Sequence, residues 1–167
     1  MKKAISLCLA IQLLSFLSFA QKRESEPLEA HKIIQADSIS KNELYNRAMS
    51  WIAETFKSAN NVIQLQDKEN GKILIKGAIK YDAPAFSPGT NYSGNFFFTL
   101  SLEFKDGKYK YDIDNVYHQA YLSRYSEGGI YLDKGKKKIR AQAEAEILSL
   151  QNSLEIAMKR EYKLNDW

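Results

Sequence analysis

The stretch "NFFFTLSLEFKDGKYKYDIDNVYH", residues 95–118, constrains the fold more than any other part of the chain. Two runs alternate apolar and polar residues on either side of Asp106 and Gly107, a pair that favours a two-residue hairpin turn. Alternation sends every second side chain to one face, so the runs predict two antiparallel strands with one apolar face. The turn pairs Lys105 with Lys108 and has positive φ at both central residues, which matches strand twist. Phe104 then meets Tyr109, Leu102 meets Tyr111, Leu100 meets Ile113 and Phe96 meets Tyr117. On the other face Glu103 meets Lys110 and Thr99 meets Asp114. Two residues break the alternation, Phe97 and Val116. In this register they oppose each other on the polar face. The pair is either covered by another part of the chain or left as a contact patch.

The flanking segments predict an α+β domain. "AHKIIQA" is a short strand centred on Ile33 and Ile34. In the helix that follows, Ser40 and Glu43 have capping-box spacing, each side chain placed to bond the other's backbone N–H. Leu44, Ala48, Ile52 and Phe56 recur every four residues, predicting a helix over residues 41–58 with one apolar face. "VIQLQDKENGKILIKGAIKY" predicts a second hairpin. A three-residue loop of Glu69, Asn70 and a left-handed Gly71 pairs Leu65 with Ile75 and keeps one face apolar. "DAPAFSPGTNYSGN" predicts a long loop, and residues 119–132 an irregular segment turning at Gly128 and Gly129. Ile139, Ala143, Ile147, Leu150, Leu154 and Ala157, joined by Met158, stripe a helix from Asp133 or Lys136 to about Tyr162. That helix spans roughly 40 Å and is expected to lie on the apolar face of the long hairpin. Lys134, Lys136, Lys137 and Lys138 oppose the dipole at its start.

The first 20 residues predict a cleaved signal peptide: Lys2 and Lys3, an apolar run from Ala4, and small residues before a cut after Ala20. Residues 21–29 form a polar lead-in, and residues 30–167 a single domain. Cleavage removes Cys8, the chain's one cysteine, and with it any disulfide, thiol nucleophile or thiolate metal site. Cys8 lies inside the apolar run, so it does not serve as a lipid anchor. The cut also leaves 22 basic residues against 20 acidic ones, a net charge of +2 instead of +4. That is too little for a nucleic-acid surface, which needs concentrated basic charge. The expected location is the periplasm or cell exterior of a Gram-negative bacterium.

The order strand, helix, four strands, long helix, together with "SKNELYNRAMSWIAETFKSANNVIQLQDKENGKILIKGAIKY" and "FTLSLEFKDGKYKYDIDNVYH", resembles domain-of-unknown-function family 4468. These are exported bacterial proteins with a TATA-binding-protein-like fold. The resemblance covers residues 30–118 and, more loosely, the final helix. It implies an antiparallel sheet with helices on one face. It brings no activity, cofactor or catalytic residue with it, and the fold name does not carry DNA binding over.

Few constellations can carry chemistry. Asp112, Asp114 and His118 share strand parity, which suits a carboxylate–histidine site, but Asp114 and His118 lie about 13 Å apart along a strand. No serine nucleophile signature or phosphate loop is present, and no cofactor is expected. Phe97 and Val116 are partner candidates. Tyr117, Tyr121, Tyr125 and Tyr131 offer aromatic faces to a ligand, or cover the sheet edge. Residues 134–140 hold five cations, suited to anionic polymers or to a solvated helix start. Asp37, Ser38 and Ile39 match a bacterial O-glycosylation sequon at Ser38, and Asn91 with Ser93 matches an N-glycosylation pattern without meaning in a bacterial chain. The expectation is a non-enzymatic exported module that binds an envelope partner or ligand. The alternatives are a structural accessory subunit of an envelope complex, or an enzyme using the Asp112, Asp114 and His118 face.

Overall fold

The computed structural model describes residues 27–82, 93–121, 130–131 and 137–160. The leader with Cys8, residues 21–26, Tyr125, the Gly128–Gly129 turn, Lys134, Lys136 and the chain past Arg160 lie outside the described residues. So do residues 83–92 of the long loop. In chain order the elements are β1 (Ala30–Gln35), α1 (Lys41–Thr55), α2 (Ala59–Val62), β2 (Ile63–Asp67), β3 (Lys72–Tyr81), β4 (Gly94–Lys105), β5 (Lys108–Ala120), β6 (Ile130–Tyr131) and α3 (Lys137–Lys159). The sheet is antiparallel in the order β1-β5-β4-β3-β2, and β6 adds to β5 beyond the end of β1. The helices α1 and α3 cover one face, and among the described residues neither lies on the other. This is the α+β architecture that the alternation and the helical stripes predict, with β6 found inside the stretch expected to be irregular.

The core forms where the two periodicities meet. Phe96, Phe98, Leu100, Leu102 and Phe104 of β4 are buried, with Tyr109, Tyr111 and Ile113 of β5 beside them. The α3 stripe lies over them, and Ile139, Ala143, Ile147, Leu150, Leu154, Ala157 and Met158 are all buried. Helix α1 adds Leu44, Ala48, Trp51 and Ile52. The two helices are tied together by polar contacts that the apolar pattern does not reveal. Arg47, 6% exposed, donates from Nη1 to the carbonyl of Met158 at 2.9 Å, capping an orphan acceptor in the last turn of α3. Trp51 Nε1 donates to Ser153 Oγ at 3.1 Å.

Half of the capping box forms. Ser40 Oγ accepts from the Glu43 N–H at 3.2 Å, while Glu43 turns instead to Arg47 Nε at 2.7 Å. The N–H of Lys41 is taken by Asp106 Oδ1 at 2.7 Å, from the turn of the long hairpin. That turn has positive φ at Gly107 (φ 73) and not at Asp106, so it differs from the form with two positive φ values. The segment before α1 holds it: Gly107 N–H donates to Ile39 O at 2.9 Å, and Gly107 O accepts from Ala36 N–H at 2.8 Å. Helix α1 stops at Thr55, short of residue 58, because Phe56 goes extended and packs its ring against Trp51 and Phe98.

The second hairpin keeps the left-handed Gly71 (φ 64) but has a four-residue loop, pairing Asp67 with Lys72. Asp67 caps that loop, accepting from the backbone N–H and the side-chain amide of Asn70 at 2.9 and 2.7 Å. Leu65 consequently pairs with Leu74 and is exposed. A bulge between Ile63 and Leu65 brings Ile63, not Leu65, opposite Ile75.

The β1 edge is braced to α3. Lys32 Nζ meets Glu155 Oε1 at 2.8 Å, Tyr111 OH donates to the same oxygen at 3.1 Å, and Gln151 Nε2 donates to Tyr111 OH at 3.0 Å. The Lys32 ammonium, aided by the Tyr111 hydroxyl, holds the Glu155 carboxyl below its ordinary value of 4.5. A carboxylate with a lowered folded pKa contributes its stability fully above the unfolded value and loses it as pH falls through the folded value. Glu155→Gln should therefore cost about 1 kcal/mol at pH 7, and the gap to wild type should shrink as pH drops below 4.5. Urea denaturation at pH 7 and at pH 3 checks this; a gap unchanged by acid would remove the charge from the explanation.

Candidate functional site

The outer face of the sheet carries the side chains that alternate away from the helices. Its centre is set by an irregularity in β5. Thr99 pairs with Asp114, but Phe97 pairs with Tyr117, so β5 spends one residue more than β4 between them. The extra residue is Asn115, left-handed at φ 52. Asparagine tolerates this conformation because its short polar side chain bonds locally. Here Asn115 Nδ2 donates to Asp114 Oδ1 at 2.6 Å and reaches Thr99 Oγ1 at 3.5 Å. A bulge of this kind reverses the facing of everything that follows.

The reversal corrects the expected pairing. Phe97 does not oppose Val116, and Phe96 does not oppose Tyr117. Val116 turns into the core at 6% exposure, so it is no surface contact. Tyr117 leaves the apolar face and stacks on Phe97, with centroids 5.1 Å apart and planes 16° from parallel. His118, paired with Phe96, is fully buried, its ring 5.4 Å from Phe96 and 5.5 Å from Tyr81. Asp112 and Asp114 stay on the outer face, so the three residues proposed for a metal or an enzyme site lie on opposite sides of the sheet. Among the described residues no three His, Cys, Asp or Glu side chains gather as a metal site. Asp112 instead pairs with Lys110 at 3.0 Å, and Lys110 also meets Glu103 at 3.5 Å.

Around the Phe97–Tyr117 stack lies a shallow groove of about 470 Å³, lined by Val62, Lys76, Ala78, Thr99 and Asn115. Gly77 forms its floor. A Cβ there would come within 2.3 Å of the Phe98 ring, so only glycine lets that buried ring lie against the strand. A smaller hollow of about 190 Å³ sits at the turn end of the hairpin, among Ile33, Lys105, Lys108 and Lys110. Tyr121 is exposed and donates from its hydroxyl to Asn95 Oδ1 at 3.1 Å, extending the polar rim. Ser38 is exposed in the turn between β1 and α1, left-handed at φ 68. The groove thus combines an aromatic pair, an alanine gap, one amide, one aliphatic hydroxyl and one ammonium. Of its members, sequence reasoning singled out Phe97 and Tyr117 as contacts and missed Ala78, Lys76 and Asn115. The break in alternation at Val116 was the available signal, but it does not by itself say which residue is the extra one.

Among the described residues no helix is long and apolar enough to cross a membrane. No curated protein matches the sequence. Among solved structures, a TBP-like protein from Parabacteroides distasonis ATCC 8503 superposes with a TM-score of 0.63 at 10% identity, over 84% of this chain and 96% of that one. A DUF4468 family protein from Bacteroides ovatus ATCC 8483 gives a TM-score of 0.56 at 12% identity, over 81% and 88%. At these identities the likeness shows the fold alone. The family model described as "Domain of unknown function (DUF4468) with TBP-like fold" matches residues 31–119, from β1 to the end of β5. The helix-backed sheet, with its bulged long hairpin, is therefore a TBP-like fold, and the chain belongs to the DUF4468 family.

Proposed function

We propose that this protein is exported and works in the bacterial envelope as a non-enzymatic binding module, with the outer sheet face as its contact surface. The observation that carries the reading is the Phe97–Tyr117 stack, half-buried in an open groove on the face that neither long helix covers. Aromatic pairs on a polar face supply contact area at little entropic cost. Export rests on the basic start and apolar run of residues 1–20. Nucleic acid does not suit this surface, because the net charge is small and Lys110 already sits beside Asp112 and Glu103.

Phe97→Ser tests the reading. Losing the stack should cost about 1 kcal/mol, leaving the domain folded. Wild-type protein, tagged and returned to its own envelope fraction, should capture a defined partner that Phe97→Ser fails to hold. Leu65→Ser, which removes an exposed apolar residue elsewhere on the same face, should hold it as wild type does. Equal capture by Phe97→Ser and wild type would sink the assignment of this face. Recovery of the protein from the cytosolic fraction with residues 1–20 intact would sink export.

A further inference from the structure

The cross-strand register draws a row across the sheet: Tyr131 of β6 opposes Tyr117, Tyr117 opposes Phe97, and Phe97 opposes Ala78. The ring of Phe97 lies face to face with Tyr117, so its second face looks toward β3. There the row drops to a methyl group, exposed at Ala78. The groove opens over that alanine, with Val62 on its far side. The row also stops at an edge. Strand β2 pairs with β3 only over residues 72–75, and α2 packs beside β3 with Val62 at the groove, so among the described residues no strand pairs with residues 76–81 on the side away from β4. Unpaired strand edges accept further strands, and side chains at alternate positions then decide which strand.

Charge says what kind. Lys76 and Lys80 are exposed and share the face of Ala78, one on each side of it. Among the described residues Lys80 is ion-paired with the exposed Asp82 at 2.9 Å, a surface pair that is easily exchanged. Asp114 lies two strands from Lys76, across Thr99, and accepts from Asn115 Nδ2 at 2.6 Å. A second copy of this chain pairing antiparallel about Ala78 would set Lys76 against Lys80, a like-charge pairing that disfavours it. We propose that the β3 edge takes an extended segment of a partner protein as an added strand. Its aromatic side chain fills the place over Ala78 against Phe97, and acidic residues two positions to either side meet Lys76 and Lys80.

The inference rests on the outer face being the contact surface and adds the class of occupant. Its probe is a short fluorescein-labelled peptide with a central phenylalanine, a glutamate two residues away on each side, and threonine or serine elsewhere. Fluorescence anisotropy at low salt should show saturable binding to the whole protein. Ala78→Phe fills the gap from within and should weaken binding about tenfold or more with the melting temperature unchanged. Lys76→Glu combined with Lys80→Glu should weaken it similarly, and a peptide with lysines in place of the glutamates should bind that variant instead. Absence of saturable binding to wild type, equal binding to Ala78→Phe, or a uronic-acid oligosaccharide binding where the peptide does not would each overturn the peptide assignment. If the envelope partner is still lost on Phe97→Ser in those cases, the face stands and only the occupant is wrong.

Discussion

Leu100→Ala is expected to cost roughly 2–5 kcal/mol, the range for truncating a fully buried leucine, whereas Thr99→Ala next to it should stay within about 0.5 kcal/mol. Leu100 is 0% exposed and sits between Ile75 on β3 and Ile113 on β5, under the helices. Removing its isopropyl group leaves a cavity that three paired strands cannot readily close. Thr99 points the other way, into the groove, where its hydroxyl makes one long contact with Asn115. A marginally stable domain has only about 5–15 kcal/mol in hand, so Leu100→Ala can remove a large part of it. Urea denaturation of the two variants side by side gives the comparison. Equal losses would mean that the alternation of β4 has been assigned to the wrong faces.

The face assignments of β4 and of the first half of β5 were legible because they depend only on local alternation and on the Asp106–Gly107 turn. The α3 stripe was legible for the same reason: every residue from Ile139 to Met158 that the spacing picks out is buried. What failed was phase. Alternation predicts facing only while the strand is regular, and one left-handed residue, Asn115, resets it for Val116, Tyr117 and His118. Asparagine is also common in turns and loops, so its place in the chain does not announce a bulge. The Leu65 register failed in a similar way, because Asp67 caps a loop one residue longer than glycine alone implies. Arg47 was invisible for another reason. Its partner, the Met158 carbonyl, lies on α3, more than a hundred residues away. The aromatic site was therefore half readable: Phe97 and Tyr117 stood out by type, but their meeting depended on the bulge.

Two single-residue deletions in β5 should differ by several kcal/mol, and the difference tests whether Asn115 sets the geometry of the groove. From Ile113 the side chains run inward, outward, then the extra Asn115, then inward at Val116, outward at Tyr117 and inward at His118. Deleting Asn115 joins Asp114 to Val116 with the alternation already correct. Phe98 then faces Val116, and Phe97 still faces Tyr117. The deletion also removes a left-handed non-glycine residue, which costs about 1–2 kcal/mol to hold, so stability should stay within about 2 kcal/mol of wild type. Asn115→Gly, which keeps the bulge and relieves the strain, should change stability by less than about 1 kcal/mol. Deleting Asp112 has no such escape. The cheapest repair straightens the bulge, so that only Ile113 and Asp114 exchange faces. Even then the core loses Ile113, which is 2% exposed, at roughly 2–5 kcal/mol, and takes in a carboxylate that must find a partner or a proton. The Asp112 deletion should therefore be unfolded or close to it, while the Asn115 deletion keeps a cooperative urea transition and the near-ultraviolet signal of the Phe97–Tyr117 stack. If both deletions unfold the domain alike, the bulge contributes more than facing. If both are tolerated, the alternation of β5 does not decide which residues reach the groove.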